Sequence, residues 1–365
     1  MKLIAFYLPQ FHETEENNRW WGKGFTDWTN TRKATPLFPG HDQPREPYQD
    51  YYYDLTDESA REWQAQMARK YGIYGFCYYH YWFRGKRFLH KPLDAVLQIG
   101  APDFPFCLSW ANDPWLRTWS GLNNEVLAEQ NYGEEKDWKE HFDFLLTVFK
   151  DKRYIRVDNK PIFLIYRPSE IPQYEEMLEY WRKLAVENGL DGIYFIQTLN
   201  RFNNPELKGF DARVEFEPGY TMFLTNGIHS IRAVDGYKQK FILMDYDKYW
   251  GSILERNADK ARTKTYLGAF MDWDNSARVG GNKPLIYTGV SPEKFSFYLT
   301  KQIKKSLEIG SDMLFINAWN EWAEGTYLEP DKKFGFQYLE AVKKALENNG
   351  LRAEVTENDG TSISH

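Results

Sequence analysis

The sequence predicts an α/β chain folded as a (β/α)8 TIM barrel with long loops at the C-terminal face of the strands. Two observations lead there: eight short apolar runs bounded by turn residues, and segments of helical period between them. The runs are 3–8 (LIAFYL), 72–79 (GIYGFCYY), 104–110 (FPFCLSW), 161–166 (PIFLIY), 192–198 (GIYFIQT), 212–216 (ARVEF), 266–273 (YLGAFMDW) and 313–319 (MLFINAW). Most are continuously apolar, as strands covered on both faces of a parallel sheet must be. An open doubly wound sheet is the alternative, but neither GxGxxG nor GxxxxGK[ST] follows any run.

The helices follow in order. Segment 57–71 opens on Asp57 as a cap and aligns Ala60, Trp63, Met67 and Tyr71 on one face. Further helices are predicted over 91–99, 134–149, 172–188, 249–257, 292–309 and 338–348, while the connection 200–211 is short and irregular. Connections 9–57 and 217–249 are too long for turns, and both leave a strand's C-terminal end, where barrels build their sites. Residues 1–350 read as one catalytic barrel domain, and 351–365 as a polar, flexible tail.

Composition narrows the function. Of 365 residues, 18% are aromatic, more rings than a core needs, and stacking on sugars or bases is the obvious use for the excess. The balance of 46 basic against 52 acidic residues, with no long basic block, argues against nucleic acid as a partner. No apolar run is long enough to span a membrane and no basic-then-apolar leader opens the chain, so a cytoplasmic protein is expected. Cys77 and Cys107 lie inside apolar runs and read as buried thiols. The seven histidines show no metal-ligand spacing, so neither metal nor cofactor is expected.

Polar and aromatic residues accumulate where the runs stop. They are Tyr7, Gln10 and His12 after the first; Tyr79, His80 and Trp82 after the second; and Trp110, Asn112 and Asp113 after the third. Tyr166, Gln197, Glu215, Asp272 and Trp273 follow at the next four, then Trp319 and Asn320 at the eighth. In a barrel these converge on one rim, and rings, amides and carboxylates suit the apolar faces and hydroxyls of a sugar. Glu321 and Glu324, wedged among tryptophans, are the candidate catalytic pair. Apolar neighbours and like charge push the pKa values of such a pair apart, leaving one acid and one base near neutrality, as glycosidic cleavage requires. The plain alternative is that Glu324 caps a turn and Glu321 forms a salt bridge.

Other signals stay open. Asp245-Tyr246-Asp247 and Asp272-Trp273-Asp274 fit the D-x-D pattern of metal-dependent sugar transferases, but the first also fits a helix N-terminus. His12 and His80 are either structural or substrate contacts. Trp20, Trp21, Phe25 and Trp28 form a satellite core or stacking platforms, and Arg117 meets an acidic sugar or pairs with a carboxylate.

The segments IAFYLPQFH (4–12), WWGKGFTDWTN (20–30), GFCYYHYWFRGKR (75–87), PFCLSWANDPW (105–115), KPIFLIYRP (160–168) and FINAWNEWAEGTYLEPD (315–331) resemble the WbsX-type family, described as glycoside hydrolase family 99-like. The resemblance covers roughly residues 1–345 and implies a (β/α)8 barrel. A more distant likeness, on EWAEGT at 321–326, is to the endo-acting α-mannosidases and α-mannanases of family 99 proper. It implies a retaining hydrolase in which Glu321 takes the proton of the sugar's 2-hydroxyl, making that oxygen an internal nucleophile, and Glu324 is the general acid and then base. Ala323, where the hydrolases often carry a larger side chain, and the long 9–57 insertion separate this chain from them. The role of some members in surface-polysaccharide synthesis gives the alternatives of a glycosyltransferase or assembly protein. A carbohydrate-binding protein without turnover would need only the aromatic rim.

Overall fold

The computed structural model describes residues 1–117, 125–226, 230–231, 241–257, 263–280 and 283–352. Eight parallel strands close into a barrel: β1 (Lys2–Tyr7), β2 (Gly75–Phe83), β3 (Phe106–Trp110), β4 (Lys160–Ile165), β5 (Tyr194–Leu199), β6 (Ala212–Glu215), β7 (Lys264–Phe270) and β8 (Met313–Asn317). Each pairs with its sequence neighbour, and β8 returns to β1 in the register Ile4 with Phe315. All eight predicted runs are barrel strands, and no sheet edge is left open. β3 and β8 are buried along their whole length.

Among the described residues, the seven longest helices surround the barrel: α1 (Glu58–Lys70), α2 (Lys91–Ile99), α3 (Glu135–Phe149), α4 (Tyr174–Glu187), α5 (Tyr246–Glu255), α6 (Pro292–Glu308) and α7 (Gln337–Glu347). As expected, no helix follows β5. Asp57 holds the N-cap position of α1, but its side chain makes no capping hydrogen bond. Asp245 caps α5 by accepting from the Lys248 amide, and Ser291 caps α6 by accepting from that of Lys294. Trp181 of α4 and Trp250 of α5 are fully buried. Cys77 and Cys107 are free, buried and register partners between β2 and β3.

The loops hold more structure than periodicity foretold. Trp115–Arg117 pairs with Glu125–Ala128, and Ile242–Asp245 lies between Ser230–Ile231 and Leu285–Thr288. The long first loop contains the helices Glu15–Trp21 and Asp27–Lys33. Trp28 is buried there against Phe11, Tyr53 and Trp322, and its indole N–H donates to the Tyr53 carbonyl. Trp20 packs on Phe88 and Trp115. The predicted tail lies, from residue 353 onward, outside the described residues. Among the described residues, no helix is long and apolar enough to cross a membrane.

Candidate active site

Beyond β8 the chain makes a miniature hairpin. Asn320–Glu321 pairs with Thr326–Tyr327 around a single 3₁₀ turn, Trp322–Glu324. A 3₁₀ helix has three residues per turn, so positions three apart eclipse, and Glu321 and Glu324 fall on one side. Trp322 and Ala323 between them turn inward, at 1% and 0% exposure. Trp322 stacks on Tyr327 at 3.8 Å between ring centroids and donates from its indole N–H to Glu329 at 2.6 Å. Gly325 closes the turn at φ +64, where a Cβ would lie 2.9 Å from Asp274 backbone atoms. Only glycine meets both demands without strain. The Asp274 amide donates to the Glu324 carbonyl at 2.8 Å, tying the turn to the end of β7.

The two carboxylates face a cavity of about 460 Å³ at the C-terminal ends of the strands. Its walls include Tyr79 and Tyr81 from β2, Trp115 after β3, Tyr166 after β4, Phe216 after β6 and Trp273 after β7. Arg278, on the one-turn helix Ser276–Val279, joins the pair. One guanidinium nitrogen lies 2.9 Å from Glu321 and the other 2.9 Å from Glu324, and buried Asp27 is 3.2 Å away. Burial opposes the charge on Arg278, but Glu324, Asp27 and Glu321 outweigh it and push its pKa up. Burial likewise raises the Glu321 carboxyl to about 8; Arg278 opposes this, while Glu324 and Asp27 add to it. Burial, with Glu321 close by, also raises the phenols of Tyr79 and Tyr81, so both rings are neutral hydrogen-bonding walls.

Of the residues singled out in the sequence, Tyr79, Asp113, Tyr166, Trp273, Glu321 and Glu324 line this cavity. The structure does not bring the others to it. Alternation along β2 sends Tyr79 and Tyr81 inward and His80 and Trp82 outward onto α3. There the His80 ring nitrogen lies 2.9 Å from His141, and Trp82 stacks on the same imidazole. Trp110 points the same way, onto His141 and Trp181. Tyr7 donates to Gln64 of α1. Gln197 donates to the Pro205 carbonyl, and Glu215 is ion-paired to Arg256. Asn112 clasps the backbone of Arg167, and Asn320 that of Leu8. Trp319 is fully buried against Phe76. The Gln10 carbonyl accepts from Asp27, and His12, pushed down to about pKa 4 by burial, borders a separate cavity beside Leu89 and His90.

Both D-x-D matches serve protein contacts. Asp272 pairs with Arg45 at 2.8 Å, and Asp274 accepts from Gln43 and lies 2.8 Å from the His41 ring nitrogen. Asp247 accepts from Lys294 and Tyr298. Arg117 pairs with Glu125. Tyr81, next to the second run's end in the sequence, also lines the cavity, while sequence reasoning missed Arg278, Asp27 and Glu329. The last is a buried carboxyl raised by burial to about 7, which accepts from Trp322, Gln64 and Tyr53. Asp27 and Glu329 lay within recognisable motifs, FTDW and YLEPD; Arg278, in NSARVGG, carried no signal.

Closed strands, strand-end acids and an aromatic cavity together define a TIM barrel of the family 99 architecture. The structure of the GH99 endo-α-mannosidase from Bacteroides thetaiotaomicron superimposes with a TM-score of 0.53 at 15% identity, covering 95% of this chain and 97% of that one. A glycoside hydrolase-like protein gives 0.56 at 14% identity, covering 94% and 93%. The chain belongs to the family described as "Glycosyltransferase WbsX", whose profile matches residues 3–342. It is also 36% identical to the "Uncharacterized protein WxcX" of two strains of Xanthomonas campestris pv. campestris. The alignment covers 94% of this chain, which spans about half the length of those relatives (49%).

Proposed function

We propose that the chain is a carbohydrate-active enzyme that cleaves an α-linked glycan, a bacterial polysaccharide or a mannose-like substrate, in the cavity bearing Glu321 and Glu324. One observation carries the reading: two carboxylates on the same side of a 3₁₀ turn, bridged by Arg278, at the end of an aromatic-walled cavity. Aromatic walls take the apolar faces of sugar rings, and the paired acids supply proton transfer at the bond to be broken.

In the retaining route implied by the resemblance, Glu321 accepts the 2-hydroxyl proton as O2 attacks C1, and Glu324 protonates the departing glycosidic oxygen. The product is a 1,2-anhydro sugar. Glu324, now a carboxylate, takes a proton from water as that oxygen attacks C1; the C1–O2 bond breaks and O2 recovers its proton from Glu321. A carboxyl raised to about 8 is, once ionised, a stronger base than an ordinary carboxylate, which suits abstraction from a hydroxyl. The test is a panel of α-linked oligosaccharides with wild type and Glu324→Gln. Turnover is expected to fall about 10²–10⁴-fold with binding retained, and a fully active variant would remove the assignment.

The family's description as a glycosyltransferase favours a second reading, sugar transfer in the same cavity. Thermal-shift screening separates the two, because transfer requires a stabilising nucleotide sugar and hydrolysis does not.

A further inference from the structure

The arginines at or beside the cavity are, with one exception, already committed to carboxylates. Arg278 holds Glu321 and Glu324, Arg167 holds Asp113 and Glu170, and Arg117 holds Glu125. Arg201 lines the cavity, is exposed, and forms no ion pair among the described residues. It lies over the face of Phe202, with the guanidinium carbon 4.9 Å from the ring centroid. Asp113 accepts from Arg167 at 2.7 Å through one oxygen and feels the Arg201 charge, but forms no ion pair with it. Behind Arg201 lies Gly219, where a Cβ would reach ordinary van der Waals contact, 3.4 Å from the Arg201 amide. The fork of the Arg201 side chain remains open.

We propose that Arg201 is an anion-recognition residue that selects a glycan bearing a negative group, the carboxylate of a uronic acid or a phosphate ester. This rests on the carbohydrate reading of the same cavity. A guanidinium presents a planar fork matching carboxylate and phosphate oxygens two at a time, and an aromatic shelf holds it in place at low entropic cost. The chain carries a net charge of -6, which repels anions at long range, so taking an anionic sugar requires a local cation of this kind.

The experiment is ligand-observed NMR titration of the full chain with methyl α-D-glucuronide, α-D-glucose 1-phosphate and methyl α-D-glucoside, in wild type and Arg201→Met. At least one anionic probe is expected to bind tenfold or more tighter than the neutral glucoside. That preference should vanish in Arg201→Met while the glucoside affinity stays the same, and should weaken with added salt. Preference for the glucuronide identifies a uronate, and preference for the phosphate a phosphorylated sugar. Equal binding of all three, or a preference that survives Arg201→Met, overturns the proposal. The readout is binding, so a chain that never hydrolyses a glycan can still pass, and one that hydrolyses neutral glycans can still fail.

Discussion

Among the described residues, two pairs of glutamates each share an arginine, and the pair beyond β8 lines the aromatic cavity. After β8, Glu321 and Glu324 share Arg278; after β6, Glu215 and Glu217 share Arg256 at 2.8 and 2.9 Å. In the β6 cluster Glu215 and Glu217 are 3% and 1% exposed. Glu217 also accepts from the Thr221 amide and hydroxyl, so its lone pairs are consumed within the protein. In the β8 cluster the same charges border about 460 Å³ of space. Paired acids with an arginine are therefore not a site by themselves; the empty volume beside them makes the difference.

The sharpest way to break this comparison is to neutralise one acid in each cluster. Glu324→Gln is expected to lose about 10²–10⁴-fold in turnover, whereas Glu217→Gln keeps its turnover per folded molecule and loses stability. Steady-state kinetics beside urea unfolding reads both. Comparable loss of turnover from both would erase the distinction drawn between the clusters. Next in size, Arg256→Met strands two buried carboxylates and is expected to cost about 3–5 kcal/mol in urea unfolding. Arg278→Met, whose carboxylates are beside the cavity, costs less.

A smaller effect follows from pH. Glu321 is raised to about 8 and Glu329 to about 7, both above the value of an unfolded glutamate. Between roughly pH 5 and 8 the folded state therefore binds more protons than the unfolded one, and stability falls as pH rises, by about 1 kcal/mol per pH unit for each group. Glu321→Gln and Glu329→Gln should each flatten the unfolding free energy against pH over its own window. A stability that climbs across that range would contradict the buried, protonated state. Turnover gives the complementary reading. If Glu321 is the base, activity rises as pH approaches 8; a fall over the same range makes it the proton donor instead.

Eight strands and seven helices were legible in the sequence, the strands as apolar runs bounded by turn residues and the helices by their period. The site was legible only in part. Tyr79 and His80 are adjacent, equally aromatic and at the same strand end, and the sequence gives no reason to separate them until the barrel fixes which parity of β2 faces inward. Trp82 and Trp110 mislead for the same reason. Arg278 could not be found, because its role is created by closure: it sits on a one-turn helix, and its partner Asp27 is brought to it from the first loop, 251 positions away. Glu321 and Glu324 were recognisable because the turn holding them is local, set by the three-residue spacing and Gly325.

Asp274 links segments that are far apart in the sequence. It lies against His41, Gln43 and Arg45 near the start of the chain, and against Glu324 and Gly325 near its end. As the polypeptide emerges from the ribosome, the contacts of His41, Gln43 and Arg45 with Asp274 wait until some 230 further residues have followed. The cavity consequently has no carboxylate pair until the eighth strand and its turn have been made, and a truncated product that lacks them has the rings and the arginines without the two acids.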